Sequence, residues 1–440
     1  MMFREFEVAL PARSGRDFDI RDYGAIPDGQ TSNTAAFAAA IRDAGTEGGR
    51  VLVPNGIWRT GPVRLISGVE LHLADNALIL FSKSPEEYPL MVTDYEGIRR
   101  IRAVSPILAE DAEDIAITGG GTIDGSGHLW RPVKQFKLTG RQWAALTASG
   151  GVVIHQAESD IWVPTRTIYD GHQAGEVYPD ACASEEAALR KAAPYYDYYR
   201  PVMVSLRHCR RVLVEGVRIQ NSPAWCVHPY FCEDLTLRHL TIFNPYHAQN
   251  GDGIDVDSCN RVHIHHCDLQ TGDDGICLKS GKDREARKLL QPCENVLVHD
   301  CRVGHSHGGF VIGSEMSRGV RNVLVRDCTF IDADVGLRFK SAMGRGGVVE
   351  DIWLTDIQMV DIREQPVILT MHYMLNQMGT DDPVKQSEDP ADIPFFRRIH
   401  FTRCRCTGAG RPVTIDPLAG HPETIRDIFF DACDLDNQEG

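Results

Sequence analysis

The chain lacks any long apolar run. Its first stretch, MMFREFEVALPARSG, has charges scattered through it and no uninterrupted apolar core of the kind a secretory signal needs. No later stretch is long and apolar enough to span a bilayer as a helix, so a cytoplasmic location is the expectation. Positive charge is also in deficit: 46 Lys and Arg stand against 61 Asp and Glu, a formal net charge of −15. That argues against nucleic acid or a membrane as partner, and it requires any anionic ligand to be held by a local cationic patch. Helical periodicity is scarce. Residues 31–44 read as one short helix, with a polar start at Ser32, Asn33 and Thr34, Phe37 and Ile41 in an Ala-rich body, and Gly45 as its stop. Oligomeric state is left unassigned by these features.

Short strands punctuated by turn residues are abundant. From Cys209 an eleven-residue phrase recurs: CRRVLVEGVRI, then copies starting at Cys232, Cys259, Cys293, Val320, Val349, Phe396 and Ile425. Its fourth, sixth, ninth and eleventh positions are apolar or Cys in every copy. The fourth and sixth alternate as in a strand, and the ninth and eleventh as in a second strand after a bend. At the ninth position Cys267, Cys301, Cys328, Cys404 and Cys433 exchange with Val217, Leu240 and Ile357. These cysteines act as small core hydrophobes, not as disulfide partners or metal ligands, which suits a reducing compartment. Several strands and no helix per repeat indicate a single right-handed parallel β-helix over 1–440, capped by the short N-terminal helix. Within it, 18–127 would form N-terminal coils and cap, and 201–440 the core coils. The aromatic stretch 128–200, with a helical run at 184–193, interrupts the rhythm and reads as an insertion on one side.

A second phrase, Gly-φ-x-φ-x-Ser (φ apolar), follows in successive coils, starting at Gly253, Gly275, Gly309 and Gly336, with degenerate copies at 224–228 and 366–370. Its register makes geometric claims. Asp252 and Asp274 each precede Gly by one residue and should stack; Asp273 and His307 precede it by two and should stack beside them. Arg338 and Lys340 occupy alternate outward positions, and Asp257 and Lys279 share the rank of Lys340. Three carboxylates this close cannot all ionise normally, so one should have a raised pKa. Separating acid from base in that way is what glycosidic hydrolysis requires.

These residues resemble the polygalacturonase family, glycoside hydrolase family 28. Asn250-Gly251-Asp252, Asp273-Asp274, His307-Gly308 in GHSHGGFVIGSE, and Arg338-Phe339-Lys340 match its four signature motifs in order. The stretches DYGAIPDGQTSNTAAFAAAI, PNGIWRTGPVRL and NSPAWCVHP are similar to its bacterial members. The resemblance implies an inverting hydrolase of α-1,4-linked galacturonate in pectic oligosaccharides, exo-acting and without cofactor or metal. Asp273 would be the acid, Asp252 and Asp274 would activate water, and His307 would hold Asp273 in its protonation state. Arg338 and Lys340 would clamp a uronate carboxylate, with Asn250, Lys279, Tyr373 and His228 as further substrate contacts. The motif usually carries Thr where Gly251 stands. Alternatives are a rhamnogalacturonan oligosaccharide hydrolase of the same family and, from another class, a β-eliminating pectate lyase with bound calcium. A catalytically dead sugar-binding solenoid is disfavoured by the intact carboxylates.

Two further clusters have plainer readings. His263, His265 and His266 invite a metal assignment, but His263 and His265 fall on the outward face of a strand. Lys282, Arg284, Arg287 and Lys288 form a basic run beside the site, either a solvated loop or a substrate-facing rim.

Overall fold

The computed structural model describes residues 2–12, 15–84, 87–373 and 387–435. Among these the chain winds into a parallel β-helix with three long sheets. Twelve strands run from Asp17–Asp19 to Ile425–Asp431, ten from Gly56–Thr60 to Arg405–Ala409, and ten from Val63–Leu65 to Thr414–Asp416. The eleven-residue phrase supplies the first two sheets. Its inward positions, such as Val212, Val214, Val217 and Ile219 in one copy, join an apolar core reaching from Phe18 to Leu435. Every described cysteine is a free thiol, and those at the ninth position fill space between coils.

The phrase also carries backbone information. Its third residue (Arg211, Asp234, Arg261, Asn295, Asn322, Asp351, Arg398, Asp427) has positive φ in all eight copies, and so does its eighth, from Gly216 to Ala432. These left-handed residues make the corners, and Asp and Asn tolerate them better than most side chains. The third-position row has a second use. Backbone N–H groups of Arg4, Ala9 and Ala12 donate to the side chains of Asn322, Asp234 and Asp114. The N-terminal segment therefore lies as a strap across many coils, with Phe3 set edge-on to Trp353.

The capping helix, α1 (Thr34–Glu47), buries a stripe of Ala36, Phe37, Ala40, Ile41 and Ala44 on the first coils. It runs past Gly45, the expected stop, and ends at Gly48 with φ 66°. Gly45 is there for space: a Cβ on it would come within 2.4 Å of Ile66 Cδ1. Asn33 caps nothing with its side chain and instead ties the loop, donating to the carbonyls of Ile26, Thr31 and Arg59.

The stretch 128–200 carries three helices, α2 (Gly140–Ala148), α3 (Arg166–Ala174) and α4 (Glu185–Ala192), and a small antiparallel sheet. It packs on an antiparallel hairpin, Leu90–Tyr95 with Ile98–Ala103, through Ile101, Val177, Ala188, Ala192 and Tyr199. That hairpin was not foreseen from the sequence; its burial pattern lacks clean alternation.

Candidate active site

The third sheet carries the second phrase. Asp257 pairs with Lys279 in register, Ile276 with Phe310, and Gly313 with Lys340. Gly253 N–H donates to the Asp274 carbonyl and His307 N–H to that of Asp273, each at 2.9 Å. Asp252 thus stacks on Asp274, and Asp273 on His307. The recurring Gly permits this close stacking: a Cβ on Gly253 would meet the Gly275 carbonyl at 2.6 Å, and one on Gly275 the Gly309 carbonyl at 2.7 Å. Gly251 replaces the expected Thr because Ala248 already fills that space, 2.7 Å from where a Cβ would stand.

One carboxylate oxygen each from Asp252, Asp273 and Asp274 lies within 4.8 Å of the others. Lys340 Nζ donates to Asp274 Oδ2 at 2.7 Å. Asp252 Oδ1 and Asp274 Oδ1 are buried and have no hydrogen-bond partner among the described residues. His307 Nδ1 lies 3.3 Å from Asp273 Oδ1. Burial, then the charges of Asp255 and Asp273, raises the Asp252 pKa well above the usual carboxylate range. At Asp273 burial acts the same way, but His307, Lys340 and Lys137 outweigh it and hold the carboxyl below that range.

Two residues that the sequence reading left out complete the site. Asp255 is fully buried, 3.5 Å from Lys279 Nζ, with neither oxygen hydrogen-bonded. It shares the outward rank of Arg338, which was the available signal. Burial pushes its pKa up to about 7; Lys279 opposes this, and the charges of Asp274 and Asp273 add to it. Lys137, from the insertion, had no such signal. Its Nζ lies 2.5 Å from His307 Nε2 and 3.9 Å from the Tyr246 ring centroid. Burial lowers its pKa, while Asp334 and Asp273 work against that. An ammonium can only donate, so against it His307 accepts at Nε2 and keeps its own proton on Nδ1, facing Asp273. Lys137 and Asp273 thus engage opposite nitrogens of the His307 ring, Nε2 and Nδ1.

The raised pKa of Asp255 has a measurable consequence. The folded chain binds more protons there than the unfolded chain between about pH 4 and about pH 7, so stability falls as pH rises through that window. Asp255→Asn should therefore melt higher than the parent at about pH 8 and lose that advantage at about pH 4. A difference in Tm that does not change with pH would contradict the shift.

The other predicted residues are placed less uniformly. Arg338 makes no hydrogen bond or ion pair among the described residues, and its guanidinium carbon is 5.8 Å from the Tyr373 ring centroid. Both are half-buried; residues 374–386, which follow Tyr373, lie outside the described set. Lys340 is 4% exposed and ion-paired with Asp274, because the walls of the site cover the outward rank of this strand. Lys279 is likewise buried, 3.3 Å from Glu315 and under the Trp225 ring. His228 is buried among Trp225, Tyr230 and Asp257. Asn250 Oδ1 accepts from Arg200 at 2.8 Å. In the basic run, Arg284 and Arg287 pair with Asp392, and Lys288 with Glu285. Arg287 is half-buried in its pair, while Arg284 and Lys288 remain largely exposed.

A β-helix groove holding an acid trio, one ion-paired and one of raised pKa, defines a carbohydrate-cleaving enzyme. Residues 167–393 match the model of glycosyl hydrolases family 28, and the chain belongs to that family. A hyperthermoactive exopolygalacturonase from Thermotoga maritima superposes with a TM-score of 0.77 at 32% identity, over 97% of this chain and 88% of its own. The polygalacturonase of Erwinia carotovora shares the fold (TM-score 0.61, 19% identity) over 96% of this chain and 99% of its own, and the coil is right-handed as in these structures. A probable polygalacturonase of Vitis vinifera is 29% identical over 92% of this chain and 71% of its own. An exo-poly-alpha-D-galacturonosidase of Dickeya chrysanthemi is 29% identical over 86% of this chain and 59% of its own.

Proposed function

We propose that this glycosidase removes galacturonate from the end of α-1,4-linked pectic oligosaccharides with inversion at the anomeric carbon. The observation that carries the reading is the division of labour in the trio. Asp273, facing Nδ1–H of His307, is the acid for the leaving oxygen. Asp252 and Asp274, stacked at one rank with an unpartnered oxygen each, hold the attacking water between them. Asp274 takes its proton while Lys340 balances the charge. Arg338 and Tyr373 meet the substrate carboxylate and ring. Exo action is supported by the insertion and its hairpin, which line a cavity of about 350 Å³ with Arg102, Trp130, Tyr198 and Arg200 next to Asn250. Two relatives named above also carry exo-acting names.

The short carboxylate separation favours a second reading, retention, in which carboxyls are about 5–5.5 Å apart. Inversion is preferred because Asp252 and Asp274 stand at one rank with an unpartnered oxygen each, an arrangement that suits a shared water. Proton NMR of a digest of a long oligogalacturonate, sampled before mutarotation, decides both points. The expected first product is monomer or dimer carrying the β anomer. An initial α anomer would establish retention, and an early ladder of intermediate sizes would establish endo action. Inertness on galacturonate oligomers with cleavage of rhamnose-containing ones would move the substrate to rhamnogalacturonan.

A further inference from the structure

We propose a transition-metal site on the twelve-stranded sheet, on a different sheet from the acid trio, centred on His266. Three successive coils deliver its donors. His239, His266 and Asp300 occupy the eighth position of consecutive phrases, at the left-handed corner, with φ of 55°, 54° and 51°. His265 and His299 occupy the seventh position and pair in register. Side-chain donor atoms of His239, His265 and His266 lie within 4.8 Å of one another, and so do those of His266, His299 and Asp300. His266 belongs to both sets, so the site takes one ion at a time.

The imidazoles already meet nitrogen to nitrogen. His265 Nδ1 is 2.8 Å from His266 Nδ1, and His263 Nε2 is 2.7 Å from His299 Nε2. His299 Nδ1 is 2.6 Å from Asp300 Oδ2. Two ring nitrogens at such a distance share one proton, and an ion can replace that proton with little movement. Tetrahedral zinc with bonds of about 2.0–2.1 Å sets its ligand nitrogens about 3.3 Å apart. The flanking cations are engaged elsewhere: Arg238 with Glu215 and Arg326 with Asp327. Imidazoles with one carboxylate suit zinc, nickel or copper and not calcium or magnesium. Bound there, the ion would cross-link two adjacent coils, those of His239 and His266 or those of His266 and His299. The sequence showed only part of the site because its members are spread over 62 residues (239 to 300), with His265–His266 and His299–Asp300 adjacent and His239 apart.

The test is calorimetric titration of the untagged, chelator-treated chain with Zn²⁺ and Ni²⁺, with Ca²⁺ as control. One equivalent of Zn²⁺ should bind and raise Tm. His266→Asn, whose side chain tolerates the left-handed corner, should weaken binding about 100-fold or more and leave hydrolysis unchanged. Its unliganded Tm shows that it folds. His155→Asn, at an exposed lone histidine, should bind as the parent does. Absent binding, or binding undiminished in His266→Asn, would overturn the proposal. So would binding lost in Asp274→Asn and kept in His266→Asn, which would place the ion on the acid trio.

Discussion

Asp273→Asn should lower kcat about a hundredfold to ten-thousandfold, the usual span of a general acid, with KM and Tm close to the parent. Asn keeps the shape of the side chain, and the backbone anchor is untouched: Thr271 Oγ1 donates to the Asp273 carbonyl at 2.7 Å. The variant loses only the proton for the departing oxygen. A substrate whose leaving group is already a stable anion, such as a nitrophenyl galacturonide, should therefore suffer far less than an oligosaccharide. Equal losses on both substrates would mean that Asp273 positions or supports charge and does not protonate. A loss under tenfold would move the acid to Asp252, whose carboxyl is biased to the neutral form.

Lys340→Met should be the most damaging substitution for stability. It strands the Asp274 carboxylate, 1% exposed, without its 2.7 Å partner. Breaking a buried ion pair on one side costs on the order of 3–5 kcal/mol, and activity should fall with it because the water-activating carboxylate loses its counter-charge. The decisive comparison is a double-mutant cycle in chemical denaturation. Lys340→Met with Asp274→Asn should be more stable than Lys340→Met alone, since no uncompensated charge remains. Additive losses would show that the pair is not coupled. A rise in KM with kcat and stability intact would restore Lys340 as a substrate clamp.

The solenoid was legible because its period is written in side-chain identity. Positions four, six, nine and eleven must be apolar in every coil, and Cys exchanging with Val, Leu and Ile named the core without a structure. Register then carried Asp252, Asp273, Asp274 and His307 into one place, since stacking turns equal rank into proximity. Burial was not legible. Lys279, Lys340 and Asp255 sit at positions that alternate outward, and outward normally means solvent. Here the insertion and hairpin wall the groove, and the outward rank becomes the floor of a site. Lys137 was beyond reach for the same reason: its contact with His307 joins residues 170 apart in sequence, outside any repeat. The corner geometry was half visible, since Asp and Asn recur at the third and eighth positions, yet Arg and His also adopt it there.

In a stack of coils each turn touches only its neighbours, so stability is a sum of adjacent terms and the array is free to fray from either end. The N-terminal strap breaks that rule. By bonding to Asp114, Asp234 and Asn322 it joins coils that never meet one another. A coil between those anchors cannot shift without disturbing contacts that the strap makes on other coils. The strap is thus a splint along the span from Asp114 to Asn322, which holds Asp252, Asp273, Asp274 and His307.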